Sequence, residues 1–360
     1  MMRRLGLWLG LSMASALCTE LAWAAPSDMA PSSWCVVSSE QAAQPAGVKL
    51  LARAAQALAA APHALPRLHT EGTLPHQGIF DESVAAKRDF PLMRDAALAW
   101  RLSGDPRYAE QVELFLRAWV TTYVPSFNPI DETGFDALID AYALARDGLS
   151  DATRSATERF LRGLAQGYLA RTATRSDPSK SPKSPTWTNN WQSHRIKLMA
   201  MSAAALEDRE LLNLTHRAFL QQLADNIRPD GSVADFEDRD ALHYVVYDLE
   251  PLVMAAVAAH PFDKGWLQEK TNAGISLAAA IDWLVPYAKG ERTHQEFVHS
   301  HVAFDKARAD AGMAGYAGEW DRKTAKQLFW WATQLDPTYQ ALAQGLGPLT
   351  PDWLALCTAR

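Results

Sequence analysis

Apolar residues recur at helical spacing along almost the whole chain, and this pattern limits the possible folds more than any other feature of the sequence. Segments with this spacing cover residues 90–102, 106–119, 136–147, 151–168, 206–227, 240–259, 266–287 and 322–335. Alternating strand patterns are few, and nothing indicates a parallel sheet. Because successive helices joined by short loops form antiparallel hairpins, we predict an all-α fold in which helix pairs form a ring, an α/α toroid.

The first 24 residues have the three parts of a cleavable secretory signal. Arg3 and Arg4 give a positive start, residues 5–17 form a short apolar stretch, and Ala22-Trp23-Ala24 is a small-x-small cleavage site. Nothing later in the chain reaches about 20 uninterrupted apolar residues. We therefore predict a single domain over residues 25–360, without a membrane anchor, in the periplasm; release beyond the periplasm is left open.

Composition and charge narrow the class of partner. The chain is 48% hydrophobic, contains 13 tryptophans and has a formal net charge of −6, which is typical of a globular acidic protein. Such a charge is unfavourable for general nucleic-acid binding, so we expect no nucleic-acid partner. An anionic ligand would need a local basic cleft. We expect a monomer.

Removal of the signal would leave two cysteines, Cys35 and Cys357, near opposite ends of the chain. In an oxidising compartment one bridge is favoured over two free thiols. We therefore predict a Cys35–Cys357 disulfide that ties the termini together; two separate buried thiols are the alternative.

The first group of residues that suggests chemistry lies where a long polar loop, 172–190, becomes an apolar helix. Asn189 or Asn190 can cap that helix, and its N-terminus favours an anion. A carboxylate-bearing ligand would there meet asparagine amides, Gln192 and His194, while Trp187 and Trp191 can stack on sugar rings. The alternative is an ordinary helix cap followed by a half-buried histidine.

The second group lies at residues 239–247. On one continuous helix Arg239, His243 and Tyr247 are spaced i, i+4, i+8 and share a face, with Tyr244 beside Tyr247. A cation, an imidazole and a phenol on one stripe can neutralise a carboxylate and move a proton. The alternative is that both tyrosines are core residues and that Arg239 pairs with nearby acids.

Together these motifs resemble the alginate lyase superfamily, and most closely its branch around the family 5 polysaccharide lyases. The resemblance rests on five segments: Leu68-His69-Thr70-Glu71-Gly72, the run from Asn189 to Arg195, Asp230-Gly231-Ser232, the run from Ala241 to Leu252, and His294 with Glu296-Phe297-Val298. It implies an incomplete α/α toroid that cuts uronic-acid polymers by β-elimination, with an anionic polysaccharide as its substrate.

The same resemblance implies a working set of an Asn–His pair, an arginine and a tyrosine. Here Asn190, or alternatively Gln192, takes the asparagine role, and His194 takes the histidine role. Arg239 lies one residue before the position of the family arginine, where this chain has Asp240. Either Tyr244 or Tyr247 matches the catalytic tyrosine. We further expect substrate contacts from His69, Gln192, His243, Trp187 and Trp191.

This chemistry requires no redox cofactor and no metal, so we predict neither. Neutralising the uronate carboxylate makes the C5 proton more acidic, and we assign that task to Asn190 with Arg239 or His194. Tyr247 is the first choice for proton transfer, with His194 as base or as the group that lowers the pKa of the phenol. His294, His299 and His301 match no standard zinc spacing.

Two other functions compete with a lyase. A glycoside hydrolase would need two carboxylates across one sugar bond, such as Asp131 with Asp235 or Glu237. A non-catalytic polysaccharide-binding protein would bind without turnover. The products discriminate, because elimination creates a conjugated double bond that absorbs in the ultraviolet and hydrolysis does not.

Overall fold

The structure, a computed structural model, describes residues 33–174, 185–349 and 351–357. The predicted signal at residues 1–24 and the centre of the polar loop 172–190 lie outside the described residues. The described part contains α1 (Pro45–Ala57), α2 (Phe80–Ala86), α3 (Asp89–Ser103), α4 (Pro106–Thr122), α5 (Phe135–Ala145), α6 (Asp151–Thr174), α7 (Asn190–Ala205), α8 (Arg209–Asn226), α9 (Ala234–Arg239), α10 (Leu242–Ala259), α11 (Leu277–Lys289), α12 (Ala303–Asp310), α13 (Lys326–Ala332) and α14 (Gln340–Leu346). Two short antiparallel strands, β1 (Gln295–Glu296) and β2 (Gly318–Glu319), pair Gln295 with Glu319 and Glu296 with Gly318.

The helices pack as two concentric layers, which confirms the all-α toroid. In one layer each helix contacts the next in the order α1, α3, α5, α7, α10, α13. In the other layer α4 packs on α6, and α6 packs on α8. Helix α7 contacts α5, α6, α8 and α10, so its N-terminal residues lie where several helices meet.

Capping explains why several helices begin where the sequence indicates. Asp105 caps α4 through the Arg107 N–H, with Pro106 at the first helical position. Asn189 caps α7 through the Trp191 N–H. Residues 68–89, which precede the first helical segment indicated by the sequence, contain one helix, α2. The single helix predicted over 266–287 is wrong, because α11 begins only at Leu277, where Ser276 caps it.

Helix α10 is the most apolar of the long helices described. By length and composition it would be able to cross a membrane, but 83% of it is buried inside the fold, as expected of a core helix. It continues through Pro251. Proline has no N–H, so the carbonyl of Tyr247, four residues earlier, lacks its usual helical partner. This carbonyl interacts instead with the His194 ring.

The predicted disulfide joins Cys35 to Cys357, which confirms that pairing. Aromatic packing surrounds it: the Trp34 ring lies 4.8 Å from that of Trp331 and 6.2 Å from that of Trp353, centroid to centroid. Trp34 also donates a hydrogen bond to Asp140 on α5 (2.9 Å). The two ends of the described chain are therefore fixed against each other and against the ring.

Candidate active site

A cavity of about 340 Å³ lies between the N-terminal half of α7, the start of α5 and the exposed side of α10. Its lining combines polar and titratable groups with apolar ones. The polar part consists of Thr133, Asp136, His194, Lys197, His243, Tyr247, Glu250 and Thr324. Two predicted catalytic residues, His194 and Tyr247, and one predicted binding residue, His243, are therefore brought together. The rings of His194 and Tyr247 are 4.4 Å apart, centroid to centroid.

His194 is buried at the floor of this cavity. Its Nδ1 lies 2.8 Å from the hydroxyl of Thr133, and its Nε2 makes no hydrogen bond of normal geometry within the described residues. Burial, and then the nearby Lys197 charge, hold the pKa of His194 well below its ordinary value. The imidazole is therefore neutral at physiological pH.

Lys197 lies one turn after His194 on α7 and is almost fully buried. Its ammonium donates to the Asp136 carboxylate (2.6 Å), to the Thr133 carbonyl (2.9 Å) and to the Thr133 hydroxyl (2.8 Å). These three acceptors match the three N–H donors of a charged lysine. The charge in the cavity floor is thus balanced, and burial raises the pKa of neighbouring Glu250 to about 7.

The two candidate tyrosines lie in different surroundings. Tyr247 lines the cavity, whereas the Tyr244 ring is buried under Arg239 and its hydroxyl accepts a hydrogen bond from Arg308 (2.8 Å). Burial raises the pKa of both phenols. Both tyrosines therefore carry their protons at neutral pH, and of the two roles predicted for His194 this arrangement favours the one that does not require it to lower the pKa of the phenol.

The predicted stripe of Arg239, His243 and Tyr247 on one helix is wrong. Helix α9 ends at Arg239, Asp240 adopts a left-handed conformation (φ 50°), and α10 begins only at Leu242. Arg239 turns to Asp305 (2.5 Å) and Asp235 (3.6 Å). Its guanidinium is therefore neutralised by two buried carboxylates and does not line the cavity. This is the alternative considered from the sequence, in which Arg239 pairs with nearby acids.

The segment after α11 supports this break in the helix. Glu296 on β1 accepts hydrogen bonds from the Leu242 and His243 N–H groups (2.8 and 3.2 Å), so it caps α10 from 54 residues away. His294 and the N–H of Phe297 both contact the Asp240 carbonyl (2.9 and 2.8 Å). His294 thus has a structural partner. Among the residues that the structure describes, no His, Cys, Asp or Glu cluster is arranged to hold a metal ion.

Sequence reasoning missed Arg308, whose charge acts on the cavity residue His243. It extends from α12, contacts Tyr244, and its guanidinium lies over the rings of Phe304 (4.4 Å) and Tyr316 (5.1 Å). Burial, followed by the charges of Arg308 and Arg239, lowers the pKa of His243 to about 4. Its segment carried no motif in the sequence, so only the fold brings this cation to His243.

Asn190 lies beside the cavity but does not line it. Its backbone N–H and its side-chain Nδ2 both donate to Asp235 (2.7 and 2.9 Å), and the residue is 2% exposed. Burial raises the pKa of Asp235 to about 6, although these two hydrogen bonds act to lower it. The amide assigned to carboxylate neutralisation is therefore already engaged by a buried carboxyl group.

Three predicted binding residues also lie elsewhere. Gln192 is fully buried and faces Arg195 (3.2 Å) and Thr172 (3.5 Å), so the structure does not place it in the cleft. The Trp187 ring stacks under the Arg195 guanidinium at 4.0 Å, with Trp191 next to it at 5.8 Å. These groups surround Arg195 near the N-terminus of α7.

His69 approaches the site from the other side. Its Nδ1 lies 3.2 Å from Asp131, which also accepts hydrogen bonds from the backbone of Thr70 and Glu71. Asp131 is two residues before Thr133, which lines the cavity, so His69 lies near the cavity wall. The carboxylates considered for a glycosidase are used structurally: Asp131 holds the 68–71 loop, Asp235 holds Asn190, and Glu237 pairs with Arg228.

A second buried carboxyl group lies behind α7. Asp248 accepts hydrogen bonds from Ser193 (2.5 Å) and Asn226, and burial, followed by the charge of Asp235, raises its pKa to about 8. Because the unfolded chain releases this proton near pH 4, the folded state binds more protons between these values. The stability contributed by the protonated group is therefore lost as the pH rises toward 8.

We predict that the free energy of unfolding falls between about pH 6.5 and 8, by roughly 2 kcal/mol from Asp248 alone, at about 1.4 kcal/mol per pH unit. The buried histidines act in the opposite direction but only below about pH 6.5, their unfolded value. Urea unfolding at several pH values measures the slope, and Asp248→Asn should reduce it to the part that Glu250 and Glu296 contribute, since burial raises the pKa of both to about 7. Asp208→Asn is the control, since the pKa of this helix cap is lowered and its effect is constant across the window. A slope unchanged in Asp248→Asn would contradict the prediction.

The comparisons with known proteins agree with this fold. The model of the alginate lyase family matches residues 36–294. The chain therefore belongs to the alginate lyase family, and it is a polysaccharide lyase by class. The family match ends before β1, so the segment that carries Glu296 and Arg308 lies beyond it. No curated protein matches the sequence.

Solved structures with the same fold are distant in sequence. An alginate lyase from Bacteroides ovatus is similar at 17% identity and a TM-score of 0.59, over 87% of this chain and 93% of that chain. A tyrosine-to-phenylalanine variant of alginate lyase A1-III, from Sphingomonas species A1, complexed with tetrasaccharide, is similar at 16% identity and a TM-score of 0.54, over 85% and 88%. A histidine-to-alanine variant of the same enzyme gives 18% identity and a TM-score of 0.53, over 76% and 77%.

Proposed function

We propose that this protein cleaves a uronic-acid polymer by β-elimination, with alginate, and within it polymannuronate, as the first substrate to test. One observation carries the proposal: Tyr247, His194 and His243 converge on one cavity whose charged floor is internally balanced. The family supports the reaction class. The tetrasaccharide complex of alginate lyase A1-III supports a polysaccharide ligand for the same fold.

The reaction requires two proton movements. A base takes the proton from C5, the C5–H electrons form the C4=C5 double bond, and the C4–O4 bond breaks as O4 receives a proton. In mannuronate the C5 proton and the leaving oxygen lie on one face of the sugar, so a single tyrosine can serve both. Because burial keeps Tyr247 protonated, its own proton is in place for O4, and uptake of the C5 proton is coupled to that delivery.

Neutralisation of the uronate carboxylate must come from donors that reach the cavity. His194 and His243 line it, whereas Asn190 and Arg239 are held by carboxylates outside it. The position of His194 in the cavity allows it to serve either as the base or as a donor to the carboxylate. Glu250, with its pKa raised to about 7, carries less negative charge than an ordinary glutamate and opposes an anionic sugar less.

Incubation of the protein with polymannuronate, polyguluronate and glucuronan, followed by ultraviolet absorbance, tests this function. We expect absorbance from the new C4=C5 double bond to rise with time on at least one polymer. The three polymers together also identify which uronate is cut. Reducing ends without ultraviolet absorbance would mean hydrolysis, and binding without either would mean a non-catalytic protein; both outcomes refute the proposal.

We further propose that residues 25–360 act as one monomeric catalytic domain in the periplasm after removal of residues 1–24. The Cys35–Cys357 disulfide supports an oxidising compartment. Cell fractionation with N-terminal sequencing of the mature protein tests both the compartment and the cleavage site. A mature chain that begins at Met1 would refute this proposal.

A further inference from the structure

The floor of the cavity contains a polar chain that reaches the catalytic histidine from behind. Lys197 Nζ lies 2.8 Å from the Thr133 hydroxyl oxygen, and that oxygen lies 2.8 Å from His194 Nδ1. Asp136 and the Thr133 carbonyl accept the other two protons of the ammonium. None of these groups was singled out by a sequence motif, and the lysine and threonine have no role in the reaction described above.

Proton counting limits the directions that the hydrogen bonds in this chain can take. A charged lysine can only donate, so the Thr133 oxygen accepts from Lys197. The threonine hydroxyl has a single hydrogen, and within the described residues His194 Nδ1 is the one acceptor at hydrogen-bond distance from it. Donation from Thr133 to Nδ1 gives this hydrogen its acceptor, and Nδ1 then carries no proton.

The second ring nitrogen then carries the proton of the neutral imidazole. Nε2 has no hydrogen bond of normal geometry within the described residues, and the ring lines the cavity beside Tyr247. The Tyr247 backbone carbonyl, which Pro251 leaves without a helical partner, interacts favourably with the ring. A proton on Nε2 fits both the carbonyl and the ring of Tyr247 as neighbours.

We infer that Lys197 and Thr133 are positioning residues that hold His194 in the Nε2–H tautomer, so that it presents a hydrogen-bond donor to the cavity. The inference rests on the proposed function for its consequence: His194 donates to the uronate carboxylate or to the oxygen of Tyr247, and it is not the base that takes the C5 proton. The base role is then left to Tyr247. Asp136 accepts a hydrogen bond from the ammonium and holds it beside Thr133.

Nuclear magnetic resonance of the ¹⁵N-histidine-labelled full chain reads the tautomer directly, without substrate. His194 is assigned from the signal that disappears in His194→Gln. We expect Nδ1 of His194 to be of the unprotonated, pyridine type and Nε2 to be of the protonated, pyrrole type at neutral pH. An Nδ1–H tautomer in the unmodified protein overturns the inference, whether or not any variant folds.

Three variants then test the residues behind the ring. Thr133→Val keeps the shape but removes the hydroxyl, so we expect the Nε2–H preference to weaken and kcat to fall roughly 10- to 100-fold, within the range that a positioned group contributes. KM should change less. Thr133→Ser keeps the hydroxyl and should restore both the tautomer signal and most of kcat, and Lys197→Met should resemble Thr133→Val.

The outcomes separate this inference from the proposed function. If no polyuronate is cut but the Nε2–H signal is present and lost in Thr133→Val, the tautomer assignment stands and the lyase proposal fails. If the protein is an active lyase and Thr133→Val leaves the signal and kcat unchanged in a folded protein, the positioning roles fail alone.

Discussion

Tyr247→Phe is expected to lower kcat on the cleaved polyuronate by about 10²–10⁴-fold, the range that a general acid–base group contributes. The substitution removes only the hydroxyl, while the phenyl ring keeps its packing against His194, where the two rings now lie 4.4 Å apart. Substrate binding should therefore change little, and the loss should be in kcat rather than in KM. Initial rates from ultraviolet absorbance, over a range of substrate concentrations, separate the two parameters.

Tyr244→Phe is the informative comparison, because the family resemblance allows either tyrosine. The Tyr244 hydroxyl accepts a hydrogen bond from Arg308 and is not part of the cavity lining. We expect its loss to lower kcat much less than the loss of the Tyr247 hydroxyl. Tyr339→Phe is the matched control, since it removes one hydroxyl that donates to Asp282 (2.9 Å), away from the cavity. A larger loss in Tyr244→Phe than in Tyr247→Phe would reverse the assignment of the two tyrosines.

The parts of the site that local sequence determines were predictable. Asn189 caps α7 because an asparagine before an apolar periodic segment satisfies the first free N–H groups, whatever lies around it. The same reasoning placed His194 within about a turn of that helix start. The ring of helices followed from the helical spacing, and the disulfide followed from two cysteines in a chain predicted to be exported.

The parts that depend on distant contacts were not predictable. Residues 239–247 read as one helix, but Asp240 breaks it because Glu296, His294 and Phe297 hold the backbone of residues 240–243 from a segment that follows 50 residues later. Arg239 then lies over the Tyr244 ring and pairs with Asp305, and Arg308 donates to the Tyr244 hydroxyl. The hydrophobic periodicity of the sequence does not indicate which distant residues pair with each other.

Lys197 was the one signal that sequence reasoning left unused. It lies inside the apolar stretch of α7 and three residues after His194, which places both side chains on the same helix face. A lysine on a buried helix needs an anionic partner. That need predicts a nearby carboxylate in general, but only the fold identifies it as Asp136 and adds Thr133 between lysine and histidine.

Removal of the Cys35–Cys357 disulfide is expected to lower the free energy of unfolding by about 2–4 kcal/mol. The bridge joins residues 322 positions apart, so it encloses most of the chain that the structure describes. In the chain-entropy description a cross-link restricts the unfolded state more as the closed loop lengthens. Urea unfolding of Cys35→Ala/Cys357→Ala against the oxidised protein measures the difference.

The other contacts that join the two ends of the chain should survive the loss of the disulfide. They therefore limit how much stability is lost. Trp34 remains packed on Trp331 and hydrogen-bonded to Asp140, and Gln41 still donates to the Leu356 carbonyl (3.0 Å). We therefore expect the double variant to fold, and to keep its kcat, because neither cysteine lines the cavity. The control is Trp34→Phe with the disulfide intact, which removes the bond to Asp140 but leaves the cross-link.

The two variants differ in how denaturant reports the loss. Loss of the cross-link expands the unfolded state, so the double cysteine variant should show a steeper dependence of stability on urea as well as a lower midpoint. Trp34→Phe acts on the folded state and should lower the midpoint with an unchanged slope. A double cysteine variant as stable as the oxidised protein would mean that the packing of Trp34 on Trp331 and Trp353 holds the two ends of the ring together without the disulfide.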